Sequence, residues 1–257
     1  MVRSVAMPCL QAVFWDVDGT LADTELTGHR LAYNRAFKDC GLNWIWDESL
    51  YTDLLSIPGG RQRMQHYSER LGQSLDADLL DRLRVIKQRH YLDVVASGGV
   101  QLRPGVQDLL EELSASGVQQ WIVTSSGKAS VEALLRSLST DLRDVFQGMV
   151  TADDVERHKP NPDPYLRALE FCGVSSDHAL ALEDSAAGLQ SARSANLRCL
   201  ITPSAWDHDW QLFSECAQCV VDHLGGEQAP TVHHGPTCAQ GRITLEYLQL
   251  LLSLPLR

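Results

Sequence analysis

Four short clusters of polar residues stand out for what their side chains could do together. Asp16-Val17-Asp18-Gly19-Thr20 sets two carboxylates two residues apart, with a glycine that permits a tight bend. Thr124-Ser125 offers hydroxyls and backbone amides, and Lys159, in His158-Lys159-Pro160-Asn161-Pro162, offers an ammonium. Glu183-Asp184-Ser185 supplies a second pair of carboxylates. Phosphoryl transfer requires an in-line nucleophile, a proton donor for the leaving oxygen and neutralisation of charge around the transferring group. An aspartate can attack phosphorus and form an aspartyl phosphate, while a second carboxylate nearby protonates the leaving alkoxide and later activates water. Mg²⁺ takes oxygen ligands in an octahedron and keeps several waters, so two or three acidic residues suffice to hold it. A lysine and a hydroxyl can hold the remaining phosphoryl oxygens. Taken singly, each cluster has a plain structural reading: a turn, a helix cap, a charge favouring a helix N-terminus, or a solvated lysine. Their joint presence points to chemistry.

The elements around the clusters explain how they could meet. Ala12-Val13-Phe14-Trp15 is a short apolar run ending at Asp16, as expected of a buried parallel strand. Residues 24–98 show no strong strand, and in 76–95 Leu79, Leu83, Ile86, Tyr91 and Val94 fall at helical spacing, which predicts a helical insert. After Arg103-Pro104-Gly105 helices and strands alternate. Val106–Ser116 reads as a helix stopped by Gly117, Trp121–Thr124 as a strand, and Val131, Leu134, Leu135 and Leu138 as the apolar face of the next helix. Pro162–Cys172 is a helix begun by proline and ended by Gly173. Ala179–Leu182, Cys199–Thr202 and Cys219–Val221 read as further strands. Such alternation implies an α/β fold with a parallel sheet wrapped on both faces. Ligands of open parallel sheets bind beyond the carboxyl ends of the strands, where all four clusters fall. Residues 225–241, rich in Gly, Pro and His, read as a loop leading to an apolar helix, Ile243–Leu254.

Composition narrows the partners. The 257 residues suit one α/β domain of roughly 150–180 residues plus a smaller module. A net charge of −11 argues against nucleic acid or an anionic membrane as a bulk partner, so an anionic substrate must be drawn in by local cations or a metal. No run approaches the ~18–20 apolar residues of a membrane span, and the first residues are too short and weakly apolar for a secretory signal. Cytoplasm is the default location and a monomer the default state. Seven scattered cysteines suit reduced thiols. Cys216 and Cys219, with His223, His233, His234 and Cys238, have some look of a zinc site. Cys219 leads into an expected core strand, however, which favours buried structural thiols.

In order and spacing the four clusters resemble the haloacid dehalogenase-like superfamily, from the first strand to about Gly225. The resemblance implies a Rossmann-like doubly wound parallel sheet core, with a small α-helical cap inserted after the first strand. The core would comprise 1–23 and 99–224, the cap 24–98, and 225–257 a C-terminal loop and helix. It implies Asp16 as nucleophile and Asp18 as general acid/base, with Mg²⁺ held by Asp16, Asp18 through its backbone carbonyl and Asp184, and with Glu183 beside Asp184 as a further ligand or as support for the ligands. Thr124, Lys159 and the backbone amide of Ser125 would hold the phosphoryl group.

Within the insert, Asp23-Thr24-Glu25, Gly28-His29-Arg30, Asn34, Phe37, Trp44, Trp46, Tyr51 and Gly59-Gly60-Arg61-Gln62-Arg63 resemble the CbbY-like branch, relatives of β-phosphoglucomutase. That branch implies a phosphatase for a sugar bisphosphate such as xylulose-1,5-bisphosphate, a misfire product that inhibits Rubisco. Glu25, His29, Arg61, Arg63 and Lys87 would be its cap contacts to substrate. Many such proteins carry Lys where Arg61 stands, which keeps the charge and changes its geometry. Trp44 and Trp46 are expected in the cap core. The nearest alternative is a phosphomutase, which would return the phosphoryl group to the sugar. Thr20 leans toward the phosphatase, since a hydroxyl beside Asp18 can hold it for water attack. A metal-free 2-haloacid dehalogenase is disfavoured because Asp18 and Asp184 are what a metal needs. A silent binding protein is disfavoured because every expected catalytic position is filled.

Overall fold

The computed structural model describes residues 9–256 other than 58, 139, 140, 205, 206 and 208. Its order begins with β1 (Ala12–Trp15), whose four residues are all buried. A π-type turn, Glu25–His29, then runs into α1 (Arg30–Asp39), followed by α2 (Glu48–Leu55), α3 (Gly60–Arg70) and α4 (Ala77–Ala96). From there the chain alternates: α5 (Val106–Ala115), β2 (Gln119–Val123), α6 (Lys128–Leu138), β3 (Gly148–Val150) and α7 (Asp163–Cys172). Next come β4 (Ala179–Glu183), α8 (Ala186–Ser194), β5 (Arg198–Ile201), α9 (Trp210–Cys216) and β6 (Cys219–Val221). The tail adds β7 (Val232–His234) and α10 (Leu245–Ser253). Two compact units result: residues 1–22, 102–128 and 140–257 form one, and 23–101 with 129–139 the other.

The first unit is built on a seven-stranded sheet in the order β3-β2-β1-β4-β5-β6-β7. All neighbours are parallel except β6 and β7. β1 therefore lies between β2 and β4, and the chain departs to opposite sides of it. That reversal opens a crevice at the carboxyl ends of the central strands. Phe14, Val123, Val150, Tyr165, Ala181, Leu189, Ile201 and Phe213 belong to one continuous apolar core against the sheet. Each large side chain fully buried there contributes roughly 1.5–3 kcal/mol. Short elements such as β1 and β4 are stable because their burial is two-sided, as parallel strands require.

Two segments differ from the sequence expectation. β3 was not anticipated, because Gly148-Met149-Val150 is too short to show a period. The stretch read as a loop, 225–241, contains β7, which pairs antiparallel with β6. An edge strand of this kind needs backbone pairing on one side only, so it leaves no apolar alternation to read.

The helical unit has its own core, in which Trp46 and Tyr51 are fully enclosed and Trp44 nearly so. Trp46 packs edge-on against Phe37 at 4.7 Å and lies 4.9 Å from the ring of Tyr33. Aromatic pairs in this geometry add about 0.5–1.5 kcal/mol beyond area burial. The irregular chain before α2 is pinned by the Asn34 amide, which donates to Trp46 O and accepts from Trp46 N, both at 2.8 Å. Gln88 donates to Ser130 Oγ at 2.9 Å, joining α4 to the 129–139 segment within this unit.

Candidate active site

The loop after β1 folds back on itself: Leu21 N and Ala22 N both donate to Val17 O at 3.1 Å. Gly19 takes φ +88° at the bend, a conformation that favours glycine, and a Cβ there would collide with the Asp184 carboxylate and the Ser204 hydroxyl. The loop thus rests directly on the end of β4. Asp16 N donates to Leu182 O at 3.0 Å, which ties the first carboxylate to the same strand.

Lys159 enters from the turn before α7. Its Nζ lies 2.6 Å from both Asp16 Oδ1 and Glu183 Oε1 and donates to Val123 O at 2.7 Å, so one ammonium joins the ends of β1, β2 and β4. Glu183 Oε1 also accepts from Tyr165 Oη at 2.5 Å. Glu183 Oε2 is buried with no hydrogen-bond partner among the described residues. Room for this carboxylate comes from Gly188 in the first turn of α8, where a Cβ would overlap it. That helix starts at Ser185, whose Oγ accepts from Gly188 N at 3.1 Å. Asp184 shares a short hydrogen bond with Ser204 Oγ.

Asp16, Glu183 and Asp184, all buried, each present a carboxylate oxygen within 4.8 Å of the others. Burial pushes Asp16 up to about 8; Lys159 counters that, and the charges of Glu183 and Asp18 add to it. Asp184 is driven well above the carboxylate range by burial, then by Asp16 and Glu183, with Arg103 and Lys159 opposing. Burial works against the charge of Lys159 too, yet Asp16 and Glu183 hold it above the ordinary lysine range. Three buried carboxylates outnumber the Lys159 ammonium and the Arg103 guanidinium near them, and call for further positive charge. The orphaned Glu183 Oε2 and an all-oxygen donor set fit a hard divalent cation.

Asp18 lies at the rim, where Ser126 Oγ donates to its Oδ2 in a short hydrogen bond. Ser126 N in turn donates to Thr124 Oγ1 at 3.1 Å, and Thr124 N to Val150 O at 3.0 Å. The Ser125 side chain is exposed. Thr20 was expected to hold Asp18 through its hydroxyl. Its Oγ1 is instead buried without a partner among the described residues, and Ser126 makes that contact.

The residues expected of the cap fall into three groups within the helical unit. Glu25 Oε2 accepts from Tyr51 Oη at 2.5 Å. Arg63 is buried and donates to Tyr51 Oη at 3.3 Å, Leu54 O at 3.0 Å and Ile57 O at 3.3 Å. Its guanidinium therefore closes the turn between α2 and α3. Lys87 Nζ lies 2.9 Å from His29 Nδ1 and sits over the rings of Tyr33 and Tyr91, and His29 stacks on Tyr91 at 4.1 Å. Arg61 stands apart, exposed and paired with Asp81 at 2.5 Å.

Sequence reasoning passed over Ser126, Tyr165, Ser204 and Arg103. Only Ser126 carried a local signal, as the third member of Thr124-Ser125-Ser126. Cys219 is buried against Tyr247 Oη at 3.2 Å, and the seven cysteines are free thiols. Among the described residues, the Cys and His of the apparent zinc pattern form no metal-holding group.

Comparison with known proteins agrees with this architecture. The haloacid dehalogenase-like hydrolase family model matches residues 13–202. Protein CbbY, plasmid, of Cupriavidus necator is 40% identical over 237 residues, covering 90% of this chain and 92% of the relative. The phosphorylated carbohydrates phosphatase of Thermotoga maritima is 30% identical over 190 residues, covering 73% of this chain and 82% of the relative. A solved CbbY variant from Rhodobacter sphaeroides, in complex with xylulose-(1,5)bisphosphate, superposes with a TM-score of 0.74 at 33% identity, covering 85% of this chain and 97% of that one. With its catalytic-type cluster at the sheet's switch point and these relatives along most of its length, the chain belongs to the haloacid dehalogenase-like hydrolase family, as one of its phosphatases.

Proposed function

We propose that this chain is a Mg²⁺-dependent phosphatase of a small sugar bisphosphate, of the xylulose-1,5-bisphosphate kind. The observation that carries the reading is the buried junction of Asp16, Lys159 and Glu183, with Asp18 one residue beyond Val17 and held by Ser126. It supplies a nucleophile, a fixed cation and a positioned proton carrier in one strand-end crevice. The xylulose-bisphosphate complex of the similar CbbY supports the substrate class.

In this mechanism Asp16 attacks phosphorus while Lys159, Thr124 and the Ser125 amide orient the phosphoryl oxygens. Asp18, steadied by the Ser126 hydroxyl, gives its proton to the leaving sugar oxygen. The same carboxylate then takes a proton from the water that hydrolyses the aspartyl phosphate. Asp16, Glu183, Asp184 and the Asp18 carbonyl would hold the Mg²⁺, which when bound neutralises charge on the phosphoryl group. A second phosphate needs further cations, and Arg61, Lys87 and His29 of the helical unit are the candidates.

The test is phosphate release from xylulose-1,5-bisphosphate, fructose-1,6-bisphosphate, ribulose-1,5-bisphosphate, phosphoglycolate and β-glucose-1-phosphate, with Mg²⁺ and with EDTA. Preference for the first substrate, silenced by chelator and by Asp16→Asn, is expected. Turnover that survives EDTA or Asp16→Asn would overturn the mechanism. Isomerisation of β-glucose-1-phosphate without phosphate release would make the protein a mutase.

A further inference from the structure

Arg103 stands where the chain re-enters the sheet unit, one residue before Pro104-Gly105 and the start of α5. Its backbone N–H donates to Leu21 O at 2.9 Å, fixing it beside the outgoing strand-end loop. The side chain then reaches inward. Nη1 donates to Gly19 O, and also to Thr202 O at 2.9 Å and Thr202 Oγ1 at 2.8 Å. Nη2 donates to Asp222 O at 3.0 Å. These acceptors belong to three separate segments, following β1, β5 and β6.

Two of those segments carry the chemistry or adjoin it. Gly19 O lies in the loop that presents Asp16 and Asp18, and this loop packs against Asp184 so closely that Gly19 has no space for a Cβ. Thr202 N donates to Glu183 O at 2.8 Å, and two residues on Ser204 N donates to Asp184 O at 3.2 Å. A guanidinium that grips Gly19 O and Thr202 at once sets the distance between the nucleophile loop and the loop bearing Glu183 and Asp184. Nη1 makes both contacts while Nη2 is anchored on Asp222 O, so the planar fork fixes the direction of the gripping nitrogen; the ammonium of a lysine, with its donors on one atom, has no second nitrogen for that anchor.

We propose that Arg103 is a positioning residue of the phosphatase reaction, holding the Asp16–Thr20 loop in register with the Glu183–Asp184 loop through Gly19 O and Thr202. The proposal rests on the reading of this crevice as the phosphatase centre. Arg103 acts on the alignment of the reacting groups and touches no substrate, so its loss lowers kcat and leaves substrate affinity nearly intact. Misplacement by about 1 Å from a mutation of this kind costs on the order of a hundredfold in rate.

The experiment compares Arg103→Ala, Arg103→Lys, Thr202→Val and Asp16→Asn with the parent, on p-nitrophenyl phosphate and on the preferred sugar phosphate. Folding is verified by circular dichroism. Arg103→Ala is expected to lose about a hundredfold in kcat with KM changed less than threefold, and to regain activity when guanidinium is added at millimolar concentration. Arg103→Lys keeps the charge and still fails to restore kcat. Thr202→Val, which removes one acceptor, loses severalfold. Independently of turnover, the rise in melting temperature produced by Mg²⁺ shrinks in Arg103→Ala. If Asp16→Asn is silent while folded Arg103→Ala stays within threefold of the parent in kcat, the positioning role is overturned. A loss carried by KM and unanswered by guanidinium would also overturn it. Should Arg103→Ala not fold, Arg103→Lys and Thr202→Val decide, and parental kcat in both refutes the proposal. Turnover by Asp16→Asn would overturn instead the phosphatase reading beneath it.

Discussion

Lys159→Met removes the charge at the centre of the site and keeps most of the apolar stem. In the parent, Nζ sits 2.6 Å from two carboxylates, Asp16 and Glu183, with its side chain 5% exposed. Taking away one partner of a buried ion pair leaves uncompensated charge and costs about 3–5 kcal/mol. For a chain of this size that corresponds to a fall in melting temperature of roughly 6–20 °C, at 2–4 °C per kcal/mol.

The sign with pH follows from the same groups. Asp16 titrates near 8 in the folded protein against an ordinary 3.8, so its ionisation opposes folding. Stability contributed by the protonated form is lost as pH rises from about 4 through about 8. Lys159 is the cation that restrains this shift, so the loss in Lys159→Met is larger at pH 8 than at pH 5. Glu183→Gln added to Lys159→Met removes one of the two stranded charges and recovers stability, with a coupling of about 1–3 kcal/mol in the double-mutant cycle. Urea and thermal unfolding in EDTA, at both pH values, measure all four corners. A single-variant loss below about 1 kcal/mol at pH 8, well under the buried-pair cost, would refute the reasoning. So would a double variant weaker than Lys159→Met alone.

Three other outcomes are expected. Ser126→Ala should lower kcat ten- to a hundredfold, the value of about 1.5–3 kcal/mol for a hydrogen bond to a charged group, while Thr20→Val leaves it near the parent; steady-state kinetics of the pair would expose a reversal. Gly188→Ala should destabilise the protein, although alanine is the better helix former by roughly 1 kcal/mol; a gain in melting temperature would mean that Glu183 is not confined as described. The thermal stabilisation given by Mg²⁺ should grow from pH 5.5 to pH 8, because a cation must displace the protons that burial favours on Asp16 and Asp184. Equal stabilisation at both pH values, read by differential scanning fluorimetry, would count against these residues as ligands.

The parts of the site that were legible in the sequence are those fixed by chain order. A short apolar run followed by Asp16 announces a strand end, Thr124 and Glu183 stand at comparable breaks later on, and Lys159 is marked by the prolines that precede the next helix. Parallel topology then brings such ends together whatever lies between them. Groups that act across the fold left no such mark. Arg103 reads as one more charge before a Pro-Gly turn, and only the closed sheet shows its fork reaching segments 84, 99 and 119 residues away. Tyr165 reads as part of a helix face, and its hydroxyl on Glu183 is visible only once α7 is laid on the sheet. Arg63 shows the converse: a charged residue suggests solvent or substrate, yet its buried guanidinium donates to the carbonyls of Leu54 and Ile57, as long polar side chains can. Ser126 makes the contact to Asp18 that was expected of Thr20, because adjacency in sequence is a poor guide to which hydroxyl a loop turns toward its neighbour.

The antiparallel β7 and the buried face of α10 have a practical meaning for anyone dividing this chain. The family match ends at residue 202, just past β5, but the sheet continues through β6 and is finished by the tail. Leu248, Leu251 and Leu252 of α10 are all fully or almost fully enclosed. A fragment cut at the end of the match would leave Leu200 and Ile201 on a bare strand edge, open to pairing with a second molecule. The residues after 202 thus serve as a hem to the sheet, and a chain trimmed of them should give aggregates where the whole chain gives monodisperse protein.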